Sequence, residues 1–197
     1  MTDRPAKTLL DPARHKDSCG FGLIANLVDL PSQWVIKTAI EALARLTHRG
    51  AVAADGKTGD GCGLLIKFPE SFLRAVGEDC GFVLNKRFAA GTVFLSQDKA
   101  TSDAARAAIT AAIDEPGLDV VGWREVPVEP SACGDQALAT LPKIEQVFVN
   151  APHDMPRGAF NRKLFLARRR AENRVTDDAT YVASLSSVTI SYKGMIM

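Results

Sequence analysis

Apolar residues recur along this chain in two rhythms, and the slower one marks helices. Ile36, Ile40, Leu43 and Leu46 return every three or four positions among Ala39, Ala42 and Ala44, following Pro31 and Ser32. That spacing, filled with good helix formers, predicts an amphipathic helix over 33–47. Ala105, Ala108, Ile109, Ala112 and Ile113 predict a second long helix ending before Pro116 and Gly117. Phe160, Leu164, Ala167, Ala171 and Val175 predict a third, whose opposite face carries Arg162, Arg168, Arg169, Arg170 and Arg174 and reads as solvated. Pro69 opens a short helix running to about Val76. Shorter apolar runs predict strands over 64–68, 88–95, 118–128 and 144–149, with 181–197 mostly strand. Residues 19–27, apolar and punctuated by Gly20 and Gly22, read as a buried strand with close backbone neighbours. Strands and helices are therefore interleaved.

Residues 1–18 break both rhythms. They carry Pro5, Pro12 and mixed charges, which suits an exposed leader, 1–18, ahead of a domain over 19–197. The far end, Ile190 to Met197, lies inside a β-prone segment without a turn or cap, which raises the expectation of a truncated domain. A chain of 197 residues with 46% hydrophobic residues is long enough to bury a real core. Its 24 basic and 23 acidic side chains nearly cancel and are dispersed, so no nucleic-acid stripe or membrane-seeking surface is expected. No apolar run reaches the roughly 20 residues needed to span a bilayer, and the leader lacks an apolar signal core. The expected location is the cytoplasm, with reduced thiols. Cysteines at 19, 62, 80 and 133 form no C-x-x-C pair and the histidines at 15, 48 and 153 are far apart, so no metal or cofactor site is expected in this segment.

Cys19 is the position where chemistry is expected. A lone cysteine is most often a small buried hydrophobe. Here the leader ends immediately before it, so removal of residues 1–18 would put a thiol and a free α-amine on one residue. An α-amine titrates at about 7.7–8 and can take the thiol proton directly or through one water, leaving a thiolate able to attack a carboxamide. In the uncleaved chain that nitrogen is an amide and the base is missing.

The stretch from His48 to Gly63 holds five glycines and must be a loop. Gly56-Lys57-Thr58 imitates the end of a phosphate-binding loop, but that motif needs glycine at 51, where the chain has Ala51, and a preceding strand, where a helix is predicted. Interspersed Asp55 and Asp60 suggest instead a backbone packed beside a small polar ligand. Cys62 reads as a packed side chain and His48 as a complement to a helix dipole. Trp34 and Trp123, with no aromatic neighbours in sequence, read as core or half-buried.

Asp17 to Ala25, His48-Arg49-Gly50-Ala51, Ala54 to Leu65, Val121 to Pro127, Ile144 to Val149 and Leu164 to Arg169 together resemble the glutaminase region of the glutamate synthase family, across nearly the whole chain. The resemblance implies an α+β fold of the N-terminal-nucleophile (Ntn) hydrolase type, an αββα sandwich, incomplete at the C-terminus. It implies a cleaved propeptide, Cys19 as the nucleophile, and glutamine hydrolysed to glutamate and ammonia for transfer to 2-oxoglutarate. Arg49, Gly50, Asp60 and Gly61 would line the glutamine pocket. FMN and a 3Fe-4S cluster are implied for regions downstream, together with the synthase regions and a small beta subunit as partners, and a reduced nicotinamide is favoured over ferredoxin as electron donor. Family members continue after the counterpart of Lys193-Gly194 into a carboxylate-binding arginine and an Asn-Gly oxyanion pair, which puts turnover by these residues alone in doubt.

Two rival readings stand beside this one. The chain is a non-catalytic relic or interaction module of the same fold, or another Ntn amidohydrolase acting on a different amide.

Overall fold

In chain order the elements of the computed structural model are α1 (Gln33–Arg45), β1 (Cys62–Lys67), α2 (Glu70–Asp79), β2 (Phe88–Leu95), α3 (Lys99–Asp114) and β3 (Asp119–Glu125), then α4 (Asp135–Ala139), β4 (Lys143–Asn150), α5 (Arg157–Arg174), β5 (Tyr181–Ser186) and β6 (Thr189–Gly194). The structure describes residues 20–46, 52–59 and 61–194. Four strands form an antiparallel sheet in the order β3-β4-β2-β5, and β1 pairs with β6 in a second antiparallel sheet.

The two-residue period of the strands divides the interior into two cores. Ala89, Val93 and Leu95 of β2 and Val147 and Val149 of β4 join Ala105, Ile109, Ala112 and Ile113 of α3 and Phe160, Leu164, Ala167 and Ala171 of α5 in an outer core. Alternate residues of the same strands, Phe88, Ala90 and Phe148, meet Ile190, Ile66 and Tyr192 of the second sheet and Leu73 of α2 in an inner core. At about 1.5–3 kcal/mol for each large apolar side chain removed from water, these two layers carry most of the driving force. The chain passes from one sheet to the other through Ser187 and Val188, inside the span 181–197 that the sequence pattern reads as mostly strand without marking a break. Gly91 makes close packing in the middle of the large sheet possible: a Cβ there would stand 2.8 Å from the Ser184 carbonyl oxygen and 3.0 Å from Val147 Cγ1.

Charge fixes the helices to this frame. Asp98 caps α3, accepting from the Thr101 amide and hydroxyl at 2.7 Å each. The arginine face of α5 is not simply solvated: Arg174 and Arg170 pair with Glu115 at the end of α3, at 2.5 and 3.4 Å, and Arg168 and Arg169 both reach Glu172. Trp123 is half-buried and donates to the Thr110 hydroxyl at 3.1 Å, whereas Trp34 is exposed, against expectation. The sequence pattern also misses α4, a single short turn of helix whose length is too small to declare a period.

The predicted buried strand over 19–27 is corrected by the structure. Residues 20–26 have no regular structure, and Phe21 and Leu23 are 95% and 89% exposed. Backbone pairing for this segment is absent among the described residues, and an apolar run without a partner strand gains neither ladder hydrogen bonds nor burial. Asn26 turns the chain instead, accepting from the Val28 amide and donating to the Leu30 carbonyl, both at 3.1 Å. Asp29 then meets Lys67 at the end of β1, 2.6 Å away, an exposed pair of small energetic weight.

Candidate functional site

Of the sequence-predicted site residues, Cys19, Arg49, Gly50 and Asp60 lie outside the described residues, as does His48. Gly61 is described. It leads into β1 at the end where Cys62 pairs with Gly194, and the Cys62 thiol donates to the Gly194 carbonyl at 3.3 Å. A Cβ on Gly61 would stand 3.8 Å from that same oxygen, an ordinary contact, so packing against β6 does not require glycine there.

The glycine-rich loop is described over 52–59. Val52 and Gly59 form a bridge, the Ala53 amide donates to the Thr58 carbonyl at 2.7 Å, and Gly56 takes the left-handed conformation that closes the turn. Asp55 bonds within its own turn. Its carboxylate accepts from the Lys57 amide at 2.9 Å, the Thr58 amide at 2.7 Å and the Thr58 hydroxyl at 2.5 Å. The Thr58 hydroxyl first, and these amides next, hold the carboxyl down at about 2, so it is ionised throughout the neutral range.

This turn rests on a distant part of the chain. The Thr58 hydroxyl accepts from the Ala137 amide in the first turn of α4 at 3.4 Å, and the Gln136 amide also contributes to Asp55. Gly134, the residue before α4, lies directly beneath. A Cβ on it would come within 2.5 Å of the Thr58 hydroxyl and collide with the Asp55 carboxylate. An Asp-x-x-Thr pair that bonds its own turn is a local signal in the sequence that the reading above did not use. The seat of that turn at Gly134 has no such signal, because nothing local links positions so far apart.

A cleft of about 680 Å³ opens at the opposite end of β1, lined among others by Lys67, Arg87, His153, Asp154 and Arg157. Gly61, the predicted site residue that is described, does not line it. Among the described residues, no group of three or more His, Cys, Asp or Glu side chains comes together as a metal site, and no helix is long and apolar enough to cross a membrane.

Comparison with known proteins bears on the same residues. A family model described as glutamine amidotransferases class-II matches residues 19–197. The chain is 38% identical over 194 residues to the glutamate synthase (NADPH) large chain of Bacillus subtilis, covering 97% of this chain and 13% of that protein. It is 36% identical over 194 residues to ferredoxin-dependent glutamate synthase 1, chloroplastic/mitochondrial, of Arabidopsis thaliana, and 36% identical over 192 residues to the glutamate synthase (NADPH) large chain of Azospirillum brasilense. Each match covers 95% of this chain, with 12% and 13% of those proteins respectively, so the chain spans only a small part of the relatives it matches.

Proposed function

Because the chain belongs to the class-II glutamine amidotransferases, we propose that it is the glutamine-hydrolysing portion of a cytoplasmic glutamate synthase, with Cys19 as its nucleophile after removal of residues 1–18. The observation that carries this reading is the family match itself, which begins at Cys19 and leaves the proline-containing leader outside. The domain is of the Ntn type and the structure is an α+β arrangement of antiparallel sheets, the architecture such chemistry uses.

The steps follow from the groups on Cys19. The freed α-amine accepts the thiol proton and the thiolate attacks the side-chain carbonyl carbon of glutamine. The tetrahedral species collapses with the amide nitrogen leaving as ammonia, which takes a proton from the α-ammonium. A water molecule, deprotonated by the same amine, then hydrolyses the glutamyl thioester, releasing glutamate and restoring the thiol. Arg49, Gly50, Asp60 and Gly61 line the glutamine pocket in this reading. Ammonia passes to 2-oxoglutarate in the synthase regions of a full large chain, where FMN and a 3Fe-4S cluster supply the redox chemistry and a small beta subunit brings electrons from a reduced nicotinamide.

Intact mass and glutaminase assay of the protein purified from its own cells test the proposal. Expected are an N-terminus at Cys19, ammonia release from glutamine, and loss of release in Cys19→Ala. A protein that retains Met1 and hydrolyses no glutamine favours the non-catalytic reading; hydrolysis of other amides in preference to glutamine favours a different amidohydrolase.

A further inference from the structure

We propose that the cleft at the Lys67 end of β1 is a binding site for a small organic oxyanion, a molecule carrying a phosphate or carboxylate group, held by Arg87 and Arg157. Every residue that lines it is described, and the site holds whether or not Cys19 hydrolyses glutamine.

Unneutralised positive charge converges there. Elsewhere in the fold arginines reach carboxylates: Arg74 pairs with Glu70, Arg106 with Glu145 and Arg174 with Glu115. Arg87 and Arg157, which both line the cleft, have no carboxylate partner among the described residues. Each is held instead by one backbone carbonyl, Arg87 by that of Met155 and Arg157 by that of Ser187 at 3.3 Å. A guanidinium carries five N–H donors in a fixed fork, so a single bond to a neutral carbonyl orients it and leaves its charge and most of its donors unmet. Lys86 lines the same cleft and likewise has no ion pair among the described residues. The two carboxylates of the cleft do not answer this charge, since Glu70 is taken by Arg74 and Asp154 meets the His153 imidazole at 2.6 Å.

The neutral groups suit an anion as well. Ser187, only 7% exposed, lines the cleft; its hydroxyl accepts from the Asn161 side-chain amide at 2.9 Å, which leaves its own O–H as a donor. The first residue of α5 lies on the same wall, after Pro156, which offers the first-turn amides no side-chain acceptor, and no acidic residue stands in that turn. The positive end of an 18-residue helix dipole therefore adds to the arginines. A volume of about 680 Å³ is that of a site for an organic molecule rather than a bare ion. Phe68 and Phe88, with ring centroids 5.3 Å apart, supply apolar surface beside the charges for the carbon frame of such a molecule.

The test titrates the full-length protein by calorimetry with inorganic phosphate, phenyl phosphate and benzoate. The last two share a ring and differ in the anion. Expected is millimolar or tighter binding of phenyl phosphate or benzoate, the tighter of the two naming the anion, with inorganic phosphate weaker because it makes no apolar contact. Arg87→Gln and Arg157→Gln should each weaken that binding about tenfold, the loss of a hydrogen bond to a charged group. Arg169→Gln, which removes an exposed arginine of α5 outside the cleft, should leave it unchanged. Lys86→Gln, which removes charge but no described bond, should weaken binding in the same direction and carries the test if an arginine variant melts early. No binding of any probe at millimolar concentration overturns the proposal. So does equal weakening in Arg169→Gln, which marks attraction to net charge alone. Binding of a polyglutamate peptide but of none of the three small probes also overturns it, and gives the surface to an acidic segment of protein.

Discussion

Gln146 joins the two sheets to each other: fully buried on β4, it donates from its side-chain amide to the Tyr192 hydroxyl on β6, 3.3 Å away, and accepts from Arg124 Nε at 2.9 Å. It occupies the inner-core face of its strand two residues before Phe148, so a polar contact substitutes for apolar packing where the sheets meet. Tyr192→Phe leaves the buried amide one partner short and should cost about 1–2 kcal/mol. Urea unfolding of this chain reads the cost as a lower midpoint at unchanged slope.

One residue earlier, Glu145 is buried while Arg106 reaches it from α3 through two nitrogens at 3.0 and 2.7 Å and Lys143 through a third at 2.9 Å. Burial alone would push its carboxyl up, but the bonds from Arg106 and Lys143 outweigh it and the group sits below its ordinary value of 4.5. A carboxyl depressed in the folded state contributes stability above its unfolded value and loses it as pH falls through the folded one. Glu145→Gln should therefore lower the unfolding midpoint at neutral pH and flatten its decline below about pH 4.5. Midpoints measured across that range in both proteins check the prediction; parallel curves would refute it.

Gly91 sits between β4 and β5 with a backbone oxygen at 2.8 Å and Leu185 Cδ1 at 2.9 Å from where a Cβ would be. The backbone oxygen is held by the sheet and cannot step aside, so Gly91→Ala should overpack it at a cost of about 1–3 kcal/mol. Gly158, in the first turn of α5, has open space around it, and Gly158→Ala should stabilise by up to about 1 kcal/mol through helix propensity. Paired thermal melts of the two variants should move in opposite directions.

How much of this was written locally can be argued element by element. Phe88–Leu95 is legible to the residue because every position of that strand is apolar or small and both faces are covered. Ile109, Ala112 and Ile113 reveal α3 because a 16-residue helix repeats its period often enough to be seen, whereas α4, at five residues, does not. The break at Ser187 and Val188 escaped because β-prone residues run on both sides and only tertiary contacts decide where a strand changes sheets. At the candidate site, the chemistry proposed for Cys19 rests on its own residue and the leader before it, since a thiol and a freed α-amine would share one position, and Cys19 itself lies outside the described residues. The seat of Asp55 and Thr58 on Gly134 could not be read locally, because its glycine is demanded by side chains nearly eighty positions away.

The misread segment after Cys19 offers a last test. Apolar composition led to the expectation that Phe21 and Leu23 are core residues, yet they are almost wholly exposed, while Leu73 of α2 is fully buried in the inner core. Burial, not residue type, sets the cost of truncation: Phe21→Ser should change the stability of this chain by less than about 0.5 kcal/mol, because an exposed side chain has no contacts to lose. Leu73→Ala should cost about 2–5 kcal/mol, the transfer term plus the cavity it leaves between the sheets. Equal losses in urea unfolding would mean that residues 20–26 are packed in solution and that the strand read from the sequence forms after all.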